Sequence, residues 1–288
     1  MSKKKIIVLA MLALSLLMLT GCEPVPKDEA GNVILITNET TFGEMMDNEG
    51  FFIALLVYPV ALLINHLSPI LSVGGAIIAA AVAINVLVVA LTFKSNVQTQ
   101  KMQDIQPELE RLKKKYEGKT DQASQQKQAM ETQALWKKHG INPLGSFIGL
   151  FVQMPILIAM YHAVQRAESV ATGSFLGLNL ETTILEGFMN LEIGFILLFA
   201  AMIGLQMLSM YVPTMLNNID AKKKAEAEHR KYVPSKNPMG GMMFFMVAMI
   251  GYIAFTWPSA MTLYWAISSF INISKTIIIK KMMSAKKS

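Results

Sequence analysis

Residues 73–93 read VGGAIIAAAVAINVLVVALTF, with one amide, Asn85, and no charge. Nearly charge-free runs recur at 144–165, 191–213, 239–256 and 259–279. A helix of about 20 apolar residues crosses the roughly 30 Å hydrocarbon core of a bilayer. Lipid offers the backbone no hydrogen-bond partner, and a helix satisfies its own N–H and C=O groups within one segment. The charge content agrees, since 16% of residues are Asp, Glu, Lys or Arg where soluble domains carry about a quarter. The chain therefore reads as an all-α membrane protein with five transmembrane helices.

Catalytic chemistry has few footholds. The single cysteine excludes an internal disulfide, and His66, His139, His162 and His229 lie far apart along the chain. No glycine-rich phosphate loop, HExxH pair or GxSxG elbow is present, so neither a metal nor a cofactor is expected and the chain reads as a non-enzyme.

The N-terminus, MSKKKIIVLAMLALSLLMLTGCEP, sets a basic start before an apolar stretch that ends at Leu19-Thr20-Gly21-Cys22. Those four residues resemble the lipobox of bacterial lipoproteins, which implies a signal peptide over 1–21 and a diacylglycerol on the Cys22 thiol. The alternative is a buried cysteine in an ordinary signal anchor. Residues 22–50, rich in Asp and Glu, suit an exposed tether on the outer face.

The run 51–70 contains Pro59, Asn65, His66 and Pro69 and is expected to lie along the outer surface as an interfacial helix. Lys and Arg concentrate in cytoplasmic loops. They crowd 94–143, 214–238 and 275–288, which ends in a basic tail over 282–288, while 167–190 holds none. Five spans then put the N-terminus outside and the C-terminus inside a bacterial cell membrane. The basic parts suit anionic lipid headgroups, or in addition ribosomal RNA phosphates; no DNA partner is expected.

Between the first two spans, Met102, Ile105, Leu109, Leu112 and Tyr116 fall at 3-4-3-4 spacing, which sets them on one seam of a helix. Gly118 breaks that helix, and a second is expected from about Thr120 to Lys138, with Ala123, Met130 and Ala134 as its seam. The result is a loosely packed helical hairpin over 94–143, either a docking arm or a solvated connector.

Trp136-Lys137-Lys138-His139-Gly140-Ile141-Asn142-Pro143-Leu144-Gly145, then Gln153-Met154-Pro155-Ile156, resemble the hairpin exit and second span of the YidC/Oxa/Alb membrane insertases. Gln106-Pro107-Glu108-Leu109 is similar to the family's hairpin element. The turn at Trp257-Pro258 and the following Leu263-Tyr264-Trp265 resemble its closing signature, and the lipobox is similar to that of Gram-positive members. The resemblance covers roughly 50–281. It implies an insertase and foldase that moves transmembrane segments of nascent membrane proteins from a cytoplasm-open polar groove into lipid, alone or with the Sec translocon and translating ribosomes.

Spacing offers candidates for that groove. Asn85, Thr92 and Asn96 stay within about 20° of one helical stripe, and Thr262 and Ser269 repeat on the last span. Gln153 and Gln206 add single amides. Such residues either line a wet cavity or bond between helices; the amides Asn85 and Gln153 favour the cavity. His162 and Arg166 read as outer-interface residues. The family carries an arginine in the first span, with a proline shortly after it. Aligned on Gln-Pro-Glu-Leu, this chain has Asn85 and Ala90 there, so the groove lacks its positive charge. A small transporter or channel is the competing class, disfavoured by the absence of internal repeats.

Overall fold

The computed structural model describes residues 24–227, 229 and 240–285. The signal segment 1–21 and Cys22 lie outside the described residues. Ten α-helices occur among the described residues: α1 Phe42–Glu49, α2 Tyr58–Asp104, α3 Gln106–Lys115, α4 Gln122–Lys138, α5 Pro143–Arg166, α6 Glu168–Thr172, α7 Ile184–Met189, α8 Ile193–Ala227, α9 Gly240–Thr256 and α10 Ser259–Ala285. A π-helical turn, Ile53–Val57, leads into α2. Extended pairing among the described residues is confined to isolated bridges. Three helical stretches are long and apolar enough to cross a membrane: Ile53–Asp104, Ile193–Ala227 and Ser259–Ala285.

Helix α2 is interrupted at Ser72, whose φ is 65° and ψ is 165°. Pro69 removes one backbone donor just before the break, and a non-glycine residue held at positive φ costs of order 1–3 kcal/mol. The serine also starts the next helical stretch: Gly75 N–H donates to Ser72 Oγ at 3.4 Å, the geometry of an N-cap. The interruption falls between the runs 51–70 and 73–93. Phe175 packs over Gly74 so closely that a Cβ there would sit 2.1 Å from its ring.

Two helices overrun their expected ends. α2 continues past residue 93 to Asp104, and α8 passes through Pro213 to Ala227. Part of the segment 214–238, read from sequence as a loop, is therefore helix. Its polar residues sit on a periodic backbone that charge counting alone does not reveal.

The chain divides into two compact units, each described on its own. The first holds the described residues up to Val88, Phe151–Gln206 and Val247–Ile271. Its core is built on small side chains, with Ala54, Ala61, Ala76, Ala80, Ala163 and Ala260 at 0% exposure. Small residues let helix backbones approach closely where lipid gives no hydrophobic drive to associate.

The described segment before residue 50 belongs to this unit, and parts of it are buried where an exposed tether was expected over 22–50. Ile36 is fully buried and pairs with Ala167; its N–H donates to Arg166 O at 2.6 Å. Asn65 Nδ2 donates to Ile36 O at 2.7 Å, while Asn65 Oδ1 accepts from Ser169 N and Oγ. Net acidity made this stretch look solvated, but several of its hydrogen-bond partners, Arg166 among them, stand more than a hundred residues away.

The second unit holds Val89–Leu150 and the described parts of Met207–Met246 and the C-terminal segment from Asn272. Its hairpin is α3 and α4, turned at Gly118, whose φ is +79°. Ile105 and Leu109 are buried with Ile141, and Met102, Leu135 and Trp136 pack against them. Tyr116 is also buried. The α3 seam therefore falls where spacing puts it. On α4 the expectation fails: Met130 is 69% exposed, Ala123 and Ala134 are exposed, and Leu135 with Trp136 makes the contact. The largest apolar side chains took the inward face near the hairpin base, where Ile141 completes the cluster.

Candidate functional site

In the first unit the polar residues of three helices meet. Asn85 on α2 is 7% exposed; its Nδ2 donates to Ala81 O at 2.8 Å and to Ser268 Oγ at 3.1 Å. Ser268 lies on α10, one turn beyond Tyr264, whose hydroxyl interacts with the Ser268 side chain. Gln153 on α5 directs its Nε2 to the same hydroxyl at 3.5 Å. The order is thus Gln153, Tyr264, Ser268, Asn85, a polar chain linking α5, α10 and α2 inside an apolar core.

Sequence reasoning placed Asn85 and Gln153 in a cavity wall. The structure gives each of them a bond to another helix. The amide of Asn85 is mostly enclosed, because one Nδ2 hydrogen returns to its own helix and the other crosses to Ser268. Its Oδ1 takes no donor from the described residues. Tyr264 entered the sequence reading only as a motif residue and is the hinge of the chain at 0% exposure. Ser268 was missed: beside Ser269 on the seven-residue repeat it carried no distinguishing signal.

The other candidates are placed as follows. Ser269 Oγ donates to Gln206 Oε1 at 2.6 Å, tying α10 to α8. Thr262, fully buried, donates to Ala254 O at 3.4 Å across the α9–α10 turn. That turn is held by Ser259 N–H to Thr182 O and Ala260 N–H to Leu180 O, each 3.0 Å, with Pro258 bridged to Thr183. Trp265 stacks on Trp257 at 5.7 Å, and Trp257 meets Tyr161 at 4.3 Å.

His162 and Arg166 are buried, at 2% and 0% exposure. Arg166 makes a two-pronged ion pair with Glu49, its Nη2 donating to Oε1 at 2.7 Å, and its Nε donates to Ile34 O at 2.8 Å. The folded segment before residue 50 encloses it.

In the second unit Asn96 Nδ2 donates to Thr92 Oγ1 at 3.0 Å, so the expected stripe neighbours bond one turn apart. Ser95 Oγ donates to Gly145 O at 2.6 Å and joins α2 to the start of α5. A second network was missed altogether. Lys280 on α10 reaches Asp104 at 2.6 Å, Asn217 at 2.7 Å and Asp220 at 3.0 Å. Gln100 donates to Asp104 and Asn217 as well. By sequence Lys280 is one of the basic residues of 275–288; its partners lie on helical extensions beyond the apolar runs. Among the described residues no group of three His, Cys, Asp or Glu side chains could hold a metal ion.

A family model for the 60Kd inner membrane protein matches residues 63–287. The chain belongs to this family. Relatives agree with the motif resemblance. A membrane protein insertase YidC of Oceanobacillus iheyensis is 32% identical, with 100% of both chains covered. The membrane protein insertase MisCA of Bacillus subtilis is 31% identical over 81% of each chain. A membrane protein insertase YidC 1 of Streptococcus pyogenes serotype M3 is 33% identical over 78% of this chain and 72% of its own. Family membership makes the protein membrane-integral, in keeping with its long apolar helices.

Proposed function

We propose that this protein is a membrane protein insertase and foldase that passes transmembrane segments of nascent proteins from a cytoplasm-open polar groove into the bilayer. Its spans are the five apolar runs from 73–93 to 259–279, with the interfacial helix over 51–70 and the N-terminus outside. Cys22 carries the lipid anchor, and no cofactor or covalent chemistry takes part. The partners are nascent membrane proteins, membrane lipids, the Sec translocon and translating ribosomes.

The observation that carries this reading is the polar chain Gln153–Tyr264–Ser268–Asn85, which joins α5 to α10 and α2, two helices long and apolar enough to cross a membrane. Polar groups in hydrocarbon cost free energy and are retained where they face a bundle interior or cavity. The unused Asn85 Oδ1 can accept from water or from a passing peptide N–H, lowering the several kcal/mol that an unsatisfied backbone group costs in lipid. With Asn85 in place of a charged residue, the groove acts by hydration and hydrogen bonding.

The deciding experiment reconstitutes the pure protein in proteoliposomes with a single-span test protein. Protease-protected insertion above that of empty liposomes is expected. Equal insertion in both, or uptake of a small solute in its place, would overturn the reading.

A further inference from the structure

The two helices of the hairpin leave a groove of about 450 Å³ between them. Its floor is apolar, formed by Leu112 of α3 and by Ala134 and Leu135 of α4. Five charged side chains line it, Glu108, Arg111, Lys115, Glu131 and Lys138, and they sort into two kinds. Glu131 is engaged, accepting from Lys115 Nζ at 2.7 Å and from the Tyr116 hydroxyl at 2.8 Å. Glu108 is engaged as well, facing His139 Nε2 at 3.2 Å. Arg111 and Lys138 also line the groove, exposed and without a carboxylate partner among the described residues.

An apolar floor beside two uncompensated cations selects a ligand with apolar and anionic groups side by side. A nucleic acid fits poorly, because its phosphates gain nothing from the apolar floor of Leu112, Ala134 and Leu135. We propose that the groove binds an acidic amphipathic helix of a partner protein, an apolar side chain resting on Leu112 and Leu135 and carboxylates reaching Arg111 and Lys138. This is the helix-in-groove mode, with charge setting orientation and the apolar anchor holding the complex. The surface is independent of the polar chain around Asn85, so the proposal stands apart from the insertion reading.

The test uses the full-length protein in nanodiscs of zwitterionic lipid. Binding is followed by fluorescence anisotropy with three probes: a labelled Leu/Glu amphipathic peptide, its Glu→Gln counterpart and a single-stranded RNA. The acidic peptide is expected to bind tightest. Arg111→Gln with Lys138→Gln is expected to weaken it about tenfold, one lost charge contact or more. Ala134→Gln, an exposed helix position that fills the groove without changing charge, is expected to weaken it similarly. Lys113→Gln with Lys114→Gln, outside the groove, is expected to leave it within about twofold. Circular dichroism confirms that each variant keeps its helices. The proposal is overturned if the Lys113/Lys114 pair matters as much, if Ala134→Gln has no effect, or if RNA binds tighter than the acidic peptide.

Discussion

Arg166 and Lys115 each hold a glutamate, and the two pairs teach opposite lessons. The side chains of Arg166 and Glu49 are 0% and 16% exposed, inside the core of the first unit. Those of Lys115 and Glu131 are 57% and 41% exposed, on the open face of the hairpin. The first pair has lost its water, so its attraction offsets a large desolvation cost and neither partner can leave without stranding the other. The second keeps its water and holds the hairpin lightly. One pair makes an acidic segment an obligatory part of the fold; the other lets two helices stay joined yet open enough to leave a groove.

The sharpest way to break this contrast is Arg166→Met. It strands the Glu49 carboxylate and is expected to lower stability by about 3–5 kcal/mol, while Arg166→Met with Glu49→Met recovers much of the loss. Denaturant unfolding in detergent measures both; equal losses for the single and double variants would show that the pair is not dry.

Next in size is Gly74→Ala, which forces the Phe175 ring to move, since the added Cβ would sit 2.1 Å from it. Overpacking of this kind costs about 1–3 kcal/mol. Thermal unfolding should show it, and Gly74→Ala with Phe175→Leu should restore part of it.

A smaller effect belongs to the polar chain. Asn85→Leu removes the bond to Ser268, and interhelical hydrogen bonds in membranes average about 0.6 kcal/mol. The consequence for insertion is expected to exceed that for stability. In a depletion-rescue assay Asn85→Leu should rescue less well than Asn85→Gln, which keeps the amide. Equal rescue would remove Asn85 from the groove.

The smallest effect is in the hairpin and is read by pH. Lys115, then Tyr116, holds the Glu131 carboxyl below its ordinary 4.5. A depressed carboxyl contributes stability above its unfolded pKa and loses it as pH falls through the folded value. Glu131 holds the Lys115 ammonium above its ordinary 10.5, a contribution present below that value and lost as pH rises through the raised one. Hairpin packing, followed by Trp136 fluorescence in a variant whose other tryptophans are replaced, should stay level through neutral pH and loosen only below 4.5 or above 10.5. A transition within the neutral range would show that the Lys115–Glu131 pair is not the dominant hold.

Legibility in the sequence followed the range of the interaction. The α3 seam at Ile105, Leu109 and Tyr116 was readable because it repeats every three or four residues. On α4, period alone could not choose between Met130 and Leu135, since the choice depended on where Ile141 returned. Asn85 and Gln153 stood out as amides in apolar runs. Their joint partner path through Tyr264 and Ser268 did not, because Asn85 and Ser268 are 183 residues apart.

By itself the sequence determined that this chain is helical and membrane-integral. Uncharged runs and glycine-marked turns are local facts, and a bilayer leaves a backbone little choice but helix. Only the tertiary structure decided that the acidic segment before residue 50 is folded in, that Arg166 is dry, and that Lys280 joins three helices. Those outcomes turn on which polar group meets which across long stretches of chain, where a buried charge takes whatever partner the packing brings to it.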